Sequence, residues 1–274
     1  MKTILLIIGG LPDLQDEEKE LFSPFASSEI PSMRALAKNG ALGSIITVSP
    51  EYPLTTKNAL LSILGYDLSR GVPSDDMLKD LGLNSNPTVF SDSLRYFIIP
   101  GFSGHGVAVT TSPLVRGVAK MAHLGVTDIY TLGLSEIEAL EEIARKAIFE
   151  IARNEFVLVY VDGPSKKAFS GDPEAKKKTI SLIDRHLVAP LADYVWRSSE
   201  MINLAVTSDH ISSWLTRKAE RGAVPVIIYF NDFVADENEK EWEIFSKTLD
   251  FGEASDVIKF LYTFDPESPG NYNT

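Results

Sequence analysis

The chain has 274 residues, 44% hydrophobic and 23% charged, ample material for one large core. Its formal net charge of −12 argues against nucleic acid or an anionic membrane as partner, because phosphate surfaces are met by basic patches. With no cysteine, disulfides and thiolate metal sites are excluded, and a cytoplasmic setting is expected.

The first residues, up to Gly10, look superficially like a secretion signal, but the apolar stretch is short and an acidic run (Asp16 to Glu20) follows. Residues 3–8 therefore read as a buried strand of a parallel sheet, leaving through Gly9-Gly10-Leu11-Pro12-Asp13. A helix from Pro31 to Gly40 starts on Pro and stops at Asn39-Gly40, and Ala41 to Val48 forms the next strand. Thr56 to Leu64 reads as a helix closed by Gly65-Tyr66-Asp67, and residues 69–86 as loops with one short helix. Strands are expected at 107–110 and 128–131, with a helix at 112–124 between them. Apolar residues at helical spacing from Ile137 to Ile151 give a helix over 135–153, followed by a buried strand at 156–161. A long amphipathic helix then runs from Asp172 to Trp196 on Ile180, Ile183, Leu187 and Leu191, kinked or interrupted by Pro190. The charges at 172–178 read as its solvated face. Residues 202–206 and 224–230 complete the strands. Alternating strands and helices mean an α/β fold with a parallel or mixed sheet. No run is long enough to cross a bilayer, and the tail after Asp265 reads as frayed.

The strand at 202–206 ends in Thr207-Ser208-Asp209-His210. Chemistry in open α/β sheets collects at the carboxyl ends of strands, and an adjacent acid and imidazole suit a divalent metal. Taken alone, the pair reads more simply as a cap on the next segment followed by a polar loop residue.

Further pieces line up in order: Gly9-Gly10-Leu11-Pro12-Asp13, the Pro31–Gly40 helix, Thr56 with Gly65-Tyr66-Asp67, Val161-Asp162-Gly163-Pro164, Ser208-Asp209-His210 and Val224-Pro225. This series resembles the cofactor-independent phosphoglycerate mutases of the archaeal type, within the alkaline phosphatase superfamily, over roughly residues 1–72 and 101–260. The resemblance implies an alkaline-phosphatase-like three-layer α/β sandwich with a mostly parallel central sheet, formed by the whole chain as a single domain. It also implies a centre of two manganese- or zinc-type ions around a Ser nucleophile, stabilising attacking and leaving oxygens together.

Position by position, the implied centre is depleted. The first strand should end in Asp-Gly and ends in Gly9-Gly10. Thr56 stands where the nucleophilic Ser is expected, and Ser165, Phe169 and Ala219 stand where three metal ligands are expected. What remains is Thr56, Asp209 and His210, a site for at most one divalent metal (Mn or Zn) or none, unless water or Asp13 completes it. The family's lid insertion has only residues 73–100 in its place, a shortened remnant, and a phosphoryl-enzyme without shielding loses its group to water. Lys57 follows Thr56, Lys166 and Lys167 follow Ser165, Arg70 follows the Gly65-Tyr66-Asp67 turn, and Arg116 falls where the resemblance puts a basic rim residue. Lys57, Arg70, Arg116 and Lys166 are thus candidate anion-binding groups.

Three functions are compatible with this pattern. The leading one is a degenerate homologue without mutase activity that binds a small phosphorylated metabolite or a protein partner. The alternative is a metal-dependent phosphatase or phosphotransferase using Thr56, with one metal on Asp209 and His210. The third is a structural subunit with a sealed site.

Overall fold

A computed structural model describes residues 1–14, 22–84, 96–231 and 249–263. Its centre is a sheet of eight strands among the described residues, in the order β10-β2-β9-β6-β1-β5-β3-β4. These are β1 (Lys2–Ile8), β2 (Ala41–Ile46), β3 (Gly106–Val109), β4 (Gly125–Val126), β5 (Phe156–Val161), β6 (Ile202–Thr207), β9 (Ala223–Phe230) and β10 (Leu249–Glu253). The pairings are parallel except those of β9, which runs antiparallel to β2 and β6. A separate hairpin of β7 (Ile211–Ser213) and β8 (Lys218–Glu220) follows β6.

Alternation along each central strand sorts the core into two layers. Leu5 and Ile7 of β1, with Phe156, Leu158 and Tyr160 of β5, face one layer. That layer is closed by α2 (Thr56–Ile63), α3 (Asp75–Leu83), α4 (Pro113–Met121) and α9 (Ala254–Thr263). Ile4, Leu6 and Ile8, with Val157, Val159 and Val161, face the other. There lie α1 (Pro31–Lys38), α5 (Glu136–Ile151), α7 (Pro173–Ile183) and α8 (Ala189–Arg197). The result is a three-layer α/β sandwich with a mostly parallel sheet. Among the described residues, no helix is long and apolar enough to cross a membrane.

Local chemistry explains the helix starts. Thr55 accepts from the Asn58 N–H at the head of α2, and Ser112 and Asp172 do the same for α4 and α7. Ser135 and Glu138 form a reciprocal capping box on α5.

Several expectations need correction. Residues 128–131 are not a strand: β4 ends at Val126, and after the Thr127 N–H bonds Ala108 O at 3.0 Å the neighbour β3 ends at Val109, leaving nothing to pair with. The helix expected from Asp172 to Trp196 is interrupted before Pro190, by a π-helical turn at Asp184–Val188. The Ala189 N–H there reaches back to Asp184 O, and Pro190 sits in the first turn of α8, where its missing N–H is harmless. The 172–178 cluster is not a solvated face throughout, because Lys176 is wholly buried. Helix α6 (Gly163–Ser170), the β7–β8 hairpin, β10 and α9 are elements that the sequence reading leaves unassigned. Of the 73–100 segment, residues 75–83 form α3, which packs on α4, while 85–95 lie outside the described residues, as do the Asp16 to Glu20 run and the tail after Asp265.

Candidate functional site at the carboxyl edge of the sheet

Strands β1, β5 and β6 lie side by side and parallel, so their carboxyl ends deliver Gly9-Gly10, Asp162 and Ser208-Asp209-His210 to one place. Ser208 holds this edge together: its hydroxyl donates to Ile8 O at 2.8 Å and accepts from the Leu11 N–H at 3.1 Å. Helix α2 brings Thr56 to the same edge.

Asp209 is fully buried, and its carboxylate is the focus. Oδ1 accepts from the Gly10 N–H at 2.9 Å, and Oδ2 accepts from the Thr56 hydroxyl at 2.9 Å and the Tyr160 hydroxyl at 3.4 Å. A buried carboxylate is costly unless hydrogen-bonded, and here three neutral donors satisfy it. Burial first, then the charges of Asp209 and Asp162, push the Tyr160 phenol far above its ordinary value, so its hydroxyl remains a proton donor. His210 Nδ1 lies 2.9 Å from Asp209 Oδ1 without hydrogen-bond geometry, and among the described residues neither ring nitrogen has a hydrogen-bond partner. The Phe169 ring runs nearly parallel to the imidazole, 12° apart in plane with centroids at 6.2 Å.

The glycines of the β1 exit show how tightly the edge is packed. Gly10 has a left-handed backbone (φ 67°), and a Cβ there would stand 2.0 Å from Ser212 Oγ. Gly9 is different. A Cβ at Gly9 would stand 2.8 Å from the Tyr160 hydroxyl and 3.0 Å from Asp162 Oδ1. Asp162 is engaged by the Ser165 hydroxyl and by the exposed Lys166 ammonium at 3.6 Å. The Ser165 N–H bonds Gly9 O at 3.1 Å, and Ala219 pairs with Ser212 across the hairpin. Thr56, Ser165, Asp209 and Ala219 therefore belong to one edge.

The four candidate cations do not gather there. Lys57 turns away to Asp75 at 2.7 Å and Pro73 O at 2.9 Å. Arg116 bonds Gly82 O and Asp128, each at 3.2 Å, and Arg70 lies over the Tyr66 ring. Lys166 and Lys167, with Asp162, line a cavity of about 290 Å3 floored by Leu140, Ile143 and Ile183. Asp13 does not complete a metal site either. Its Oδ1 takes the Lys176 ammonium at 2.5 Å, while Oδ2 accepts from the Ser23 hydroxyl at 2.9 Å and the Phe25 N–H at 2.7 Å. Lys176 also donates to Pro12 O at 3.0 Å and Ser212 O at 2.8 Å, using all three protons. Burial draws its ammonium below the ordinary value, and Asp13 opposes that.

Tyr160, Ser212 and Lys176 are the site neighbours that sequence reasoning missed. Lys176 had a signal, standing four residues before Ile180 on the apolar stripe of α7. Tyr160 is the single polar group in Phe156–Val161, a weaker signal. Ser212 carries none.

The profile of the Metalloenzyme superfamily matches residues 1–250. The chain belongs to the Metalloenzyme superfamily. The 2,3-bisphosphoglycerate-independent phosphoglycerate mutase of Methanosarcina mazei is 24% identical over 159 residues, 57% of this chain and 40% of that enzyme. That of Pyrobaculum arsenaticum is 28% identical over 137 residues, 50% of this chain and 32% of the enzyme, so the matched stretch spans well under half of each relative. Among solved structures, the PH0037 protein of Pyrococcus horikoshii superposes with a TM-score of 0.75 at 19% identity over 96% of both chains. The cofactor-independent phosphoglycerate mutase of Thermoplasma acidophilum gives 0.56 at 14% identity, covering 95% of this chain and 98% of that one. Alkaline phosphatase from the Antarctic bacterium TAB5 gives 0.52 at 13% identity, covering 96% and 98%. The fold of this superfamily member is alkaline-phosphatase-like.

The superfamily's name implies bound metal, and the edge fits it poorly. Among the described residues, no three His, Cys, Asp or Glu side chains are grouped to hold an ion. Asp209 has both oxygens engaged by neutral donors, and the space above Gly9 is filled by Tyr160 and Asp162. Among the described residues, the His210 nitrogens and the Ser212 hydroxyl at this edge have no hydrogen-bond partner. An acid, an imidazole and a hydroxyl fall short of a two-ion centre.

Proposed function

We propose that this chain is a member of the superfamily without mutase activity, which binds a small phosphorylated metabolite and does not transfer its phosphoryl group. The observation that carries this reading is the state of Asp209, whose two oxygens are satisfied by Gly10, Thr56 and Tyr160. Phosphoryl transfer of the two-ion kind needs carboxylates free to hold cations, and Gly9, Ser165, Phe169 and Ala219 supply none. The phosphate end of the ligand is assigned to Lys166 and Lys167 on the rim of the 290 Å3 cavity, and an apolar body to Leu140, Ile143 and Ile183.

A second reading rests on one contact, the 2.9 Å hydrogen bond from Thr56 to Asp209 beside the unpartnered His210. It makes Thr56 a nucleophile held at the head of α2, with one divalent metal on Asp209 and His210, and the chain a phosphatase. Turnover separates the two. A coupled assay with 3-phosphoglycerate and manganese, run beside hydrolysis of an aryl phosphate, is expected to show neither activity. Metal-dependent hydrolysis lost in Thr56→Ala would establish the phosphatase instead. For the binding role, inorganic phosphate with a chelator should raise the thermal midpoint, as any native-state ligand does. A Lys166→Ala/Lys167→Ala variant should lose that rise, and if phosphate has no effect on the wild type, a protein partner becomes the reading to test.

A further inference from the structure

The misfit between a metalloenzyme fold and this edge has a specific structural cause. Position 9 is the first residue of the turn after β1, and Gly9 has no left-handed backbone angle, unlike Gly10 beside it. Its conformation therefore tolerates a side chain, and space alone forbids one. Tyr160 and Asp162 fill that space. The Tyr160 ring is held in the core layer with Phe156 and Leu158, so its hydroxyl cannot swing aside as the end of a flexible chain would. The same hydroxyl reaches Asp209 Oδ2 at 3.4 Å, on the oxygen that also takes Thr56. The phenol thus makes the tightest contact at the position where a further carboxylate would stand, with Asp162 Oδ1 next at 3.0 Å, and supplies a donor to the carboxylate that remains.

We infer that Tyr160 is the residue that keeps this centre free of divalent metal, its hydroxyl standing in the seat that an ion between position 9 and Asp209 would need. This rests on the reading of the site as non-catalytic and names the group responsible. Replacing Gly9 by Asp alone should clash. With Tyr160→Phe as well, the space opens and an introduced carboxylate lies close to Asp162 and Asp209. Carboxylates crowded in a buried site repel one another unless a cation enters or a proton is taken up. Together with the unpartnered imidazole of His210 and the Thr56 hydroxyl, they would form a ligand set suited to zinc or manganese.

The test is calorimetric titration of ZnCl2 and MnCl2 into wild type, Gly9→Asp, and Gly9→Asp/Tyr160→Phe, without any activity assay. The double variant is expected to bind one ion saturably, at least about tenfold more tightly than either other protein, the scale on which a ligand's supporting groups act. Adding Asp209→Asn should abolish the gain. Equal binding by Gly9→Asp alone would show that Tyr160 is not the block and overturn the inference, leaving the proposed function standing. A folded double variant that binds nothing overturns it too. Wild type that binds as tightly as the double variant overturns both the inference and the metal-free premise of the proposed function. If the double variant does not fold, Tyr160→Phe alone decides. Zinc or manganese should then raise its thermal midpoint and leave wild type unmoved, and no rise in Tyr160→Phe overturns the inference.

Discussion

Two buried aspartates at the exit of β1 solve the same electrostatic problem in opposite ways. Asp209 is balanced by neutral dipoles, a backbone N–H and two hydroxyls. Asp13 is balanced by a full ammonium, Lys176, which is itself buried and completed by two carbonyls. The difference is functional as well as energetic. The ion pair ties the β1 exit loop, α7 and the start of the hairpin together, and its three oxygens leave the ammonium nothing further to bind. The dipolar cage holds a carboxylate with no formal counter-charge in hydrogen-bonding contact, next to an imidazole with unused nitrogens. The first is a structural tie, and the second leaves a carboxylate and an imidazole with chemistry within reach.

The largest expected effect breaks the tie. Lys176→Met leaves Asp13 buried without its cation, and removing one member of such a pair costs about 3–5 kcal/mol. Urea unfolding should show that loss, and Asp13→Asn added to Lys176→Met should recover most of it, because replacing both charges is close to neutral. If the single and double variants lose equally, the pair is not what organises the loop.

A smaller effect is expected at the dipolar cage. Asp209→Asn keeps the shape but presents an amide N–H to donors, leaving one of Gly10 N–H, Thr56 or Tyr160 short of an acceptor. The cost of a buried donor left unsatisfied is about 1–3 kcal/mol. A loss as large as that of Lys176→Met would mean that Asp209 carries a charge partner in solution, and the contrast between the two sites would fail.

The smallest effect sharpens the comparison with a third buried carboxylate. Asp184, in the π-helical turn, accepts from the Ser32 and Met33 N–H groups at the start of α1, at 3.0 and 2.8 Å, and burial, outweighing these bonds, pushes its carboxyl above the ordinary 3.8. A folded-state value raised above the unfolded one contributes stability below the unfolded value, lost as pH rises through the folded one. The stability of wild type relative to Asp184→Asn should therefore fall as pH rises from 3.8 through the raised value, and level off above it. Unfolding free energies of the two proteins at several acid pH values check the slope; a difference that grows with pH would contradict the burial argument.

The sheet was legible wherever pattern is local. Continuous apolar runs marked β1, β5 and β6, helical spacing marked α5 and α7, and Pro or Thr at a helix start marked α1 and α2. Asp209 was recognisable from its place at a strand end and Thr56 from the position that the resemblance gives a nucleophile, and the two do meet. Residues 128–131 had strand-like composition, but a strand also needs a neighbour, and β3 stops too soon to be one. Pro190 marked an irregular helix correctly while the π turn before it left no local sign.

By itself the amino-acid sequence determined the α/β class, the strands β1, β2, β3, β5, β6 and β9 and the residues at the carboxyl ends of β1, β5 and β6, because burial periodicity acts over a few positions. Only the tertiary structure decided which charges are neutralised and by what. Lys57, which adjoins Thr56 in the chain, points to Asp75, whereas Lys176, 163 residues from Asp13, is buried against it. The electrostatics of a buried carboxylate depend on which donors lie within about 3 Å, and that distance is set by how distant strands and helices pack, not by neighbours along the chain.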